Sequence, residues 1–433
     1  MFAFRKLVRP VTVQRSVLAH QSRAKSTFKP LPEVEKYLDE FMPKQSSYET
    51  TKAIPEDFKQ TMFSKDLPQS TEALQKMENF IMGLQSRIVK HLEDVEATAP
   101  SAASVAPASI TMNNIPQPVE TEAKKFSIER SYRNKIGGMS GGGVVAVLQD
   151  GRVYEKAGVN TSVICGEMPY SRLHNMRADH SRLNELLQKH YTDSPKEHGC
   201  PFAAAGISLV LHPHNPHAPT VHANYRMFQV TLGDEHIWWF GGGSDLTPTY
   251  TSPNSFLPRH FHSLLKHSCD EMQAEQPALK FPSLYQHFKE WCDKYFYLPH
   301  RNETRGIGGV FFDDMDTETT GLNQEQLFKL VTHLGDHFPA SYFPLVRATA
   351  GIPYTEEQKR YQQLRRGRYV EFNVMIDRGT KFGLEMPSSA GIRTEQILMS
   401  LPLTARYEYM FTPAPGSPEA VTQEILKTPI DWV

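Results

Sequence analysis

The sequence has few cysteines, no long apolar run and no excess of one charge. Its four cysteines form no C-x-x-C pair, which excludes a zinc ribbon, a redox dithiol or a disulfide framework and predicts free, mostly buried thiols. No run of about 18 apolar residues occurs, so no transmembrane helix is predicted. The 433 residues carry 47 Lys and Arg against 48 Asp and Glu. This balance gives no reason to expect nucleic-acid binding, and any attraction for an anion must be local.

The N-terminal segment contains no acidic residue before Glu33. It carries seven basic residues, Arg5, Lys6, Arg9, Arg15, Arg23, Lys25 and Lys29, together with apolar side chains such as Phe2 and Leu7. An Arg-rich, acid-free leader of this kind predicts a mitochondrial presequence over residues 1–30. A disordered basic tail is the alternative interpretation.

The rest of the chain divides by composition. Residues 31–72 are interpreted as a variable, partly helical lead-in, and residues 73–433 as one catalytic domain. An Ala-, Ser- and Pro-rich stretch near 97–122 predicts a flexible insertion in this domain. The residues before that insertion, Leu74–Val95, repeat apolar side chains at helical spacing.

Beyond residue 126, short β-rich segments alternate with glycine and proline. Strands are predicted at Val144–Gln149, Gly206–His212, His222–Thr231, His236–Phe240, Gly309–Phe312 and Arg368–Ile376. Helices are predicted at His260–Gln273, Leu284–Tyr295, Gln324–Phe338 and Thr394–Tyr409. Neighbouring strands are joined by short links, and one pair is joined by Gly-Asp-Glu, as in a hairpin. This pattern favours an α+β fold, a large antiparallel sheet flanked by helices on both sides.

Candidate site residues lie on the predicted strand His222–Thr231. Because side chains alternate along a strand, His222, Asn224 and Arg226 share one face. An imidazole, an amide and a guanidinium in line suit an anion-binding cleft better than a core, although a solvated sheet face is the alternative.

Asp245 follows the next predicted strand in the sequence GGGSDLTP. Three glycines allow a sharp turn or close approach of the backbone to a flat ligand, but no nucleotide-binding fingerprint is present. A carboxylate at the end of a Trp-rich apolar strand needs either a firm hydrogen-bond partner or a raised pKa.

A further charged group occurs at Asp377, Arg378 and Lys381, which are predicted to lie at a turn closed by Gly379. Arg378 is one of three arginines from separate segments, and the other two are Arg226 and Arg393. Such a set suits a substrate with several carboxylates, whereas single arginines are mostly surface ion-pair partners.

Histidine is abundant, with 18 residues, but no H-E-x-x-H or comparable metal-binding spacing occurs. A metal site among the central histidines, including the pair His260 and His262, is therefore the weaker interpretation, and no metal is predicted.

Several long motifs closely resemble those of oxygen-dependent coproporphyrinogen III oxidases. They are LQDGRVYEKAGVN, HPHNPHAPTVHANYR, WWFGGGSDLTPTY, HRNETRGIGGVFFDD, EFNVMIDRGTKFGL and ILMSLPLTARYEY, in that order along the chain. The likeness extends from about Met77 to Val433. It implies a large antiparallel sheet with flanking helices and a homodimer formed through about Tyr369 to Glu408. It also implies that the protein acts in the mitochondrial intermembrane space, where it would be at most peripheral to a membrane.

The resemblance also implies the reaction. Two propionates of coproporphyrinogen III become vinyl groups, with O₂ as the oxidant and no flavin, haem or nicotinamide cofactor. His222 matches the proposed proton donor. Substrate-binding positions are matched by Ser208, by Asn224, Tyr225 and Arg226, and by Gly391, Ile392 and Arg393. Asp245 and, on weaker grounds, Asp377 match carboxylates thought to hold pyrrole N–H groups, and Arg378 is assigned to the substrate carboxylates.

This chain departs from the family pattern in two places that bear on the substrate loop. The segment PSSAGIR is longer than usual and places Ile392 where a small residue is expected, and NKIGGMSGGG is also atypical. His212, His262 and His300 match positions proposed as metal ligands in bacterial relatives. The remaining alternatives are a tetrapyrrole carrier without catalysis and a metal-dependent hydrolase.

Overall fold

The computed structural model describes residues 29–44, 67, 70–100, 123–136, 139–169, 185, 199–385 and 393–433. The predicted presequence and most of the predicted insertion near 97–122 lie outside these ranges, as do Gly391 and Ile392. In the lead-in, the described helix α1 (Pro32–Phe41) buries Val34, Leu38 and Phe41.

A seven-stranded antiparallel sheet forms the centre of the described structure, in the order β1-β2-β3-β4-β5-β6-β9. Its strands are β1 (Ser127–Ile136), β2 (Met139–Gln149), β3 (Tyr154–Pro169), β4 (Gly199–Pro213), β5 (Thr220–Leu232), β6 (Glu235–Thr247) and β9 (Gly309–Met315). The short strands β7 (Tyr297–Leu298) and β8 (Glu303–Thr304) pair separately. This arrangement confirms the predicted α+β class and five of the six predicted strands.

The helices follow in chain order. They are α2 (Glu72–Thr98), α3 (Phe256–Glu275), α4 (Leu284–Tyr295), α5 (Thr317–Thr320), α6 (Gln324–Thr349), α7 (Glu356–Met375), α8 (Arg378–Glu385), α9 (Thr394–Ile397) and α10 (Pro418–Lys427), with a 3₁₀ turn at Leu398–Ser400. Described residues include no helix that is long and apolar enough to cross a membrane.

The main hydrophobic core lies between one face of the sheet and α1, α2, α3, α4 and α6. Odd-numbered residues of β4 and β5, such as Ile207, Leu209 and Ala223, point into it and are buried. Gln85 of α2 satisfies two strand carbonyls there, donating to Val144 O at 3.0 Å and Val159 O at 2.8 Å. Strand alternation therefore directs the even-numbered side chains to the opposite face.

The opposite face carries two apolar clusters with a gap between them. One cluster contains Phe202, Val230 and Trp239 at one end of the strands. The other contains Phe296, Phe311 and Phe372 at the other end, where α7 covers the sheet. Small and polar side chains occupy the surface between these clusters. The four cysteines are free and buried, as predicted.

Two predicted elements near the C-terminus are wrong. The segment Arg368–Ile376, predicted as a strand, continues the helix α7 (Glu356–Met375). The predicted helix Thr394–Tyr409 is helical only at Thr394–Ile397 and then a 3₁₀ turn, because residues 401–408 form neither helix nor strand. The predicted turn at Asp377–Gly379 is the start of α8 instead.

Candidate active site

His222 and Asp245 lie directly opposite each other on the adjacent strands β5 and β6. His222 Nδ1 is 2.9 Å from Asp245 Oδ1. Asp245 is only 1% exposed and also accepts two hydrogen bonds from Arg305, from Nε to Oδ2 at 3.0 Å and from Nη2 to Oδ1 at 2.7 Å. Both carboxylate oxygens are thus occupied, and the second ring nitrogen of His222, Nε2, is the one that can exchange a proton with a ligand.

Asp245 is held as an anion. Burial by itself disfavours its charged form, but Arg305 and His222 overcome this effect and lower the pKa of the carboxyl below its ordinary value. Of the two possibilities that the sequence left open for Asp245, the structure shows the firm hydrogen-bond partner.

Arg305 is fully buried in an aromatic box. Its guanidinium carbon lies 4.0 Å from the ring centroid of Phe296, 4.5 Å from that of Tyr369 and 4.7 Å from that of Phe372. It also donates from Nη1 to Asn373 Oδ1 at 3.1 Å. Cation–π contacts and charge-assisted hydrogen bonds together fix this arginine behind Asp245, away from the open part of the face.

Arg226 and Arg378 meet at a common carboxylate, Asp313. The distances to Asp313 Oδ2 are 2.7 Å from Arg226 Nη2 and 3.2 Å from Arg378 Nη2. Arg226 Nη1 also donates to Asn224 Oδ1 at 2.6 Å. A Cβ atom on Gly241 would lie 2.5 Å from Asp313 Oδ1 and 2.9 Å from Arg226 Cζ, so only glycine leaves room for this pair. Two of the three predicted arginines are therefore adjacent.

A row of paired residues runs across the strands beside this cluster. Asn160 of β3 pairs with Ser208 of β4, Ser208 with Asn224 of β5, and Asn224 with Gly243 of β6. Directly paired residues point to the same face. Oδ1 of Asn160 is buried and accepts no hydrogen bond from the described part of the chain. This row offers amide and hydroxyl groups at the open part of the face.

Glycines beside this row leave part of the sheet face without side chains. On the same face, Gly143 pairs with Ser162, Ser162 with Gly206, and Gly206 with Arg226. Gly243 has φ +147°, and a Cβ atom there would lie 2.2 Å from Val310 O of β9. Close strand approach thus requires glycine at 243, and the absence of side chains at 143 and 206 leaves a shallow, smooth surface.

Arg393 lies over the same face but at its far edge. Its side chain is 57% exposed and forms an ion pair with Glu129 of β1. Glu129 pairs with Val145, which pairs with Asn160, so Glu129 begins the row that leads to Asn224. Four strand spacings of about 4.8 Å place Arg393 roughly 19 Å from the Arg226 cluster.

Asp377 serves a local structural purpose. Its Oδ2 accepts from the Thr380 backbone N–H at 2.6 Å at the start of α8, and its Oδ1 accepts from the Tyr295 hydroxyl at 3.1 Å. This is the geometry of a helix N-cap. Arg378, one residue on, is 64% exposed on the side of Asp313 and is the part of this motif that faces the cleft.

Tyr225 points away from the other predicted site residues. It is 1% exposed in the core, and its hydroxyl donates to Leu334 O of α6 at 3.3 Å. The family motif Asn224–Arg226 therefore contributes two side chains to the cleft and one to the opposite face, as strand alternation requires.

The three candidate metal ligands do not converge. His212 contacts Thr220 Oγ1 at 3.2 Å and Ser400 O at 2.9 Å, and His262 contacts Tyr285 Oη at 2.8 Å and Ile307 O at 3.0 Å. His300 Nε2 lies 2.8 Å from Glu371 Oε2. Both ring nitrogens of His212 and His262 thus hold protein partners, so these residues do not fit a metal site. The described residues that do cluster with ligand spacing are Glu271, His333 and His337, elsewhere in the fold.

The sequence did not single out Arg305, Asp313 and Asn160. Arg305 and Asp313 both belong to the motif HRNETRGIGGVFFDD, and Asn160 ends the motif LQDGRVYEKAGVN. For Arg305 the sequence offered only its place in this motif, before the glycine-rich segment that leads into β9. The alternation of β3 identifies the face of Asn160, but only once its pairing with β4 is known.

The chain matches known proteins along most of its length. The family model described as coproporphyrinogen III oxidase matches residues 76–432. A rat protein named mitochondrial oxygen-dependent coproporphyrinogen-III oxidase is 44% identical over 359 residues, 83% of this chain and 68% of its own. The Drosophila melanogaster oxygen-dependent coproporphyrinogen-III oxidase is 47% identical over 315 residues, 72% of this chain and 73% of its own. A soybean protein named chloroplastic oxygen-dependent coproporphyrinogen-III oxidase is 44% identical over 298 residues, 68% and 70% of the two chains.

Proposed function

The chain belongs to the coproporphyrinogen III oxidase family, and we infer that it catalyses the oxygen-dependent conversion of coproporphyrinogen III to protoporphyrinogen IX. The propionates of rings A and B are decarboxylated to vinyl groups in this reaction, which is a step of haem biosynthesis. The observation in this chain that supports the assignment best is the cleft that combines His222, held by a buried carboxylate, with the paired arginines 226 and 378.

The electron balance defines what the site must do. Each propionate loses CO₂ and, formally, a hydride from its β-carbon, so each vinyl group releases two electrons to O₂. A reduced tetrapyrrole is electron-rich and supplies these electrons itself. The protein must then bind the anionic macrocycle, orient one propionate at a time and manage protons.

His222 is positioned for the proton step. Asp245 fixes the orientation of its ring through Nδ1, and Arg305 keeps Asp245 ionised and in place. A carboxylate in this position orients the ring and selects its tautomer, as in other histidine–carboxylate pairs. We therefore assign the proton exchange to Nε2 of His222 and assign Asp245 to positioning His222, rather than to direct contact with pyrrole N–H groups.

The arginines and the cross-strand row supply the binding surface. Arg226 and Arg378 both pair with the carboxylate of Asp313. Their remaining N–H groups suit a propionate, which forms charge-assisted hydrogen bonds with guanidinium groups. Ser208, Asn224 and Asn160 provide neutral hydrogen-bonding groups along the glycine-lined floor, and Arg393 provides a further cation at the far edge.

The substrate loop is part of this proposal. Gly391 and Ile392 immediately precede Arg393, and we assign all three residues to substrate binding. No organic cofactor is required in this scheme, because the substrate provides the electrons and O₂ accepts them.

A homodimer is part of the same proposal. The region that matches the family's dimer-forming stretch carries unusually exposed apolar side chains. They include Val374, Met375, Leu384, Leu403 and Tyr407, and next to them are Tyr409 and Met410. Large exposed apolar groups in one region mark an interaction surface. Size-exclusion chromatography with light scattering tests this: the wild type should elute as a dimer and Tyr407→Asp as a smaller species.

The leader supports a mitochondrial location, and relatives from rat, mouse and human are named mitochondrial. Fusing residues 1–30 to a fluorescent reporter tests import. Fractionation that places the full chain between the two mitochondrial membranes would support the intermembrane space, and a matrix or cytosolic location would contradict it.

The experiment that tests the function is turnover of coproporphyrinogen III by the purified chain in air. Formation of protoporphyrinogen, detected as protoporphyrin fluorescence after oxidation, supports the enzyme. Binding of coproporphyrinogen without O₂ uptake would instead identify a tetrapyrrole carrier. O₂ uptake and product fluorescence are measured in the same sample.

A further inference from the structure

Two packed helices on the core side of the sheet carry a second cluster of ligating side chains. Helix α3 contributes His267 and Glu271, and helix α6 contributes His333 and His337. Each pair is spaced i, i+4, which places its two side chains on the same face of the helix.

The two helices run antiparallel at this point. Residues nearer the N-terminus of α3 contact residues nearer the C-terminus of α6. The contacts are Gln276 with Gln326, Glu275 with Lys329, and His260 with Ala340. Position 271 of α3 consequently faces position 333 of α6, and the two i, i+4 pairs meet across the helix interface.

The ligand atoms are close together. Glu271 Oε1 lies 3.4 Å from His267 Nε2, and Glu271 Oε2 lies 3.2 Å from His333 Nε2. The rings of His333 and His337 have centroids 4.3 Å apart. One ligand atom from each of Glu271, His333 and His337 lies within 4.8 Å of the other two.

The second ring nitrogen of His337 is held as in a metal site. His337 Nδ1 lies 2.9 Å from the His333 carbonyl oxygen, which fixes the ring and leaves Nε2 as its ligand atom. Metal-binding histidines usually donate their other ring N–H to a carbonyl or carboxylate in this way. Nε2 of His333 is buried and lies 3.2 Å from Glu271 Oε2 without meeting hydrogen-bond geometry, so the two atoms are placed as co-ligands would be. A buried polar atom of this kind requires an explanation, and a metal ion provides one.

We propose that Glu271, His333 and His337 bind one divalent transition-metal ion, with Zn²⁺ as the preferred ion. Two imidazoles and one carboxylate suit the borderline-soft Zn²⁺ better than Mg²⁺ or Ca²⁺, which prefer oxygen ligands. His267 is within reach as a fourth ligand, and water is the alternative. The ligand atoms need to move closer by roughly 1 Å to reach tetrahedral spacing, which side-chain rotation at a partly exposed site allows.

This site is separate from the proposed active site. Helix α6 packs on the face of the sheet that Tyr225 enters, whereas His222, Asn224 and Arg226 point to the other face. Bound metal would cross-link two helices of the core layer and stabilise the fold by linkage, without taking part in turnover.

The test uses the full-length protein after chelation and buffer exchange. Calorimetric titration with ZnCl₂ should show saturable binding of about one ion per chain, and Co²⁺ in its place should give the visible absorption bands of a tetrahedral site. Glu271→Gln, His333→Ala and His337→Ala should each weaken binding at least about 10-fold. Zinc should also raise the thermal midpoint of the wild type and not that of His337→Ala.

The matched control is His287→Ala, which removes a histidine that stacks on Phe281 outside the cluster; it should bind zinc as the wild type does. Glu271→Gln changes a side chain that is 44% exposed and preserves its shape, so it reports on the ligand and not on folding. Absence of saturable binding, or equal affinity in the wild type and all three cluster variants, would overturn the proposal. Coproporphyrinogen turnover should be unchanged in these variants.

Discussion

His222 Nδ1 lies 2.9 Å from Asp245 Oδ1, and the two residues are directly paired on adjacent antiparallel strands. The rigid ladder, rather than a loop, sets this distance. Because Arg305 holds the same carboxylate from the buried side, the orientation of the His222 ring is determined by Asp245 and, through it, by Arg305.

Asp245→Asn should lower kcat by about 100-fold or more, because an amide does not enforce the same tautomer and orientation of the His222 ring. It also leaves Arg305 buried without its anion, which should cost on the order of 3 kcal/mol of stability. Comparing kcat at a temperature where the variant is folded separates these effects. Near-normal kcat in folded protein would contradict the role of the carboxylate.

Arg378→Ala and Arg393→Ala should raise the apparent KM for the tetracarboxylate more than they lower stability. Both arginines are more than half exposed, and their removal leaves no buried charge unpaired, because the buried Asp313 keeps Arg226 and Glu129 is itself exposed. Any fall in kcat reports misorientation of the substrate.

The matched control for these variants is Arg259→Ala on the exposed side of α3, behind the opposite face of the sheet. It should have wild-type kinetics. If all three variants behave alike, the carboxylates bind elsewhere.

Asn160→Asp should impair turnover more than Asn160→Ala. Asn160 shares the face of Ser208 and Asn224, and its buried oxygen lacks a partner in the described structure. The alanine variant loses a hydrogen bond, whereas the aspartate variant also places a negative charge beside an anionic substrate. Steady-state kinetics of both variants check the order, and equal, wild-type kcat/KM values would exclude Asn160 from the site.

The ion pair between Glu155 and Arg366 should contribute to the acid sensitivity of the fold. Burial tends to raise the pKa of Glu155, but Arg366 and Lys359 dominate and lower it to about 2. A depressed carboxyl pKa stabilises the fold above the ordinary value of 4.5, and this stabilisation is lost as the pH falls toward about 2.

Glu155→Gln should therefore destabilise the protein by about 3 kcal/mol at neutral pH, and by progressively less as the pH falls below about 4.5. Urea unfolding across this pH range measures the effect. Glu290→Gln, which changes an exposed carboxylate on α4, is the control and should show no such trend. A pH-independent difference would argue against the ion pair.

Exhaustive chelation should leave full activity. The ring nitrogens of His212 and His262 are hydrogen-bonded within the protein, and His300 pairs with Glu371. The electrons come from the substrate, so no step of the proposed scheme requires these residues to hold a metal. Activity that disappears on chelation and returns with Mn²⁺, in His337→Ala as in the wild type, would contradict this scheme.

The sheet was predictable because its strands carry strong alternation and glycine-bounded ends. The side chains from His222 to Phe228 lie on the predicted faces of the sheet. Gly233, in the hairpin turn, has φ +63°, as a tight turn requires. The glycines before Asp245 were interpreted as a turn or close approach. They continue β6 in a strand, and close approach to β9 is their actual purpose.

The C-terminal elements were harder to predict because tertiary contacts override local preference there. The β-branched and aromatic residues of Arg368–Ile376 favour a strand. In the structure, however, Tyr369 and Phe372 are buried at helical spacing around Arg305. The capping box formed by Thr355 and Gln358 was the sequence signal for this helix.

Site residues that share one face of a single strand were predictable, whereas those brought in by strand pairing or by burial were not. His222, Asn224 and Arg226 follow from alternation on one strand. Arg305 and Asp313 become visible only when β9 and α7 are placed beside β6, since their partners are distant in sequence.

Parallel incubations of the purified chain and of His222→Asn with coproporphyrinogen III, in air and without oxygen, test whether His222 serves an oxygen-dependent decarboxylation. We expect O₂ uptake and protoporphyrin fluorescence for the wild type in air, no product without oxygen, and at least about 100-fold slower product formation by His222→Asn. Equal product yield with and without oxygen, or unimpaired turnover by His222→Asn, would rule out this mechanism.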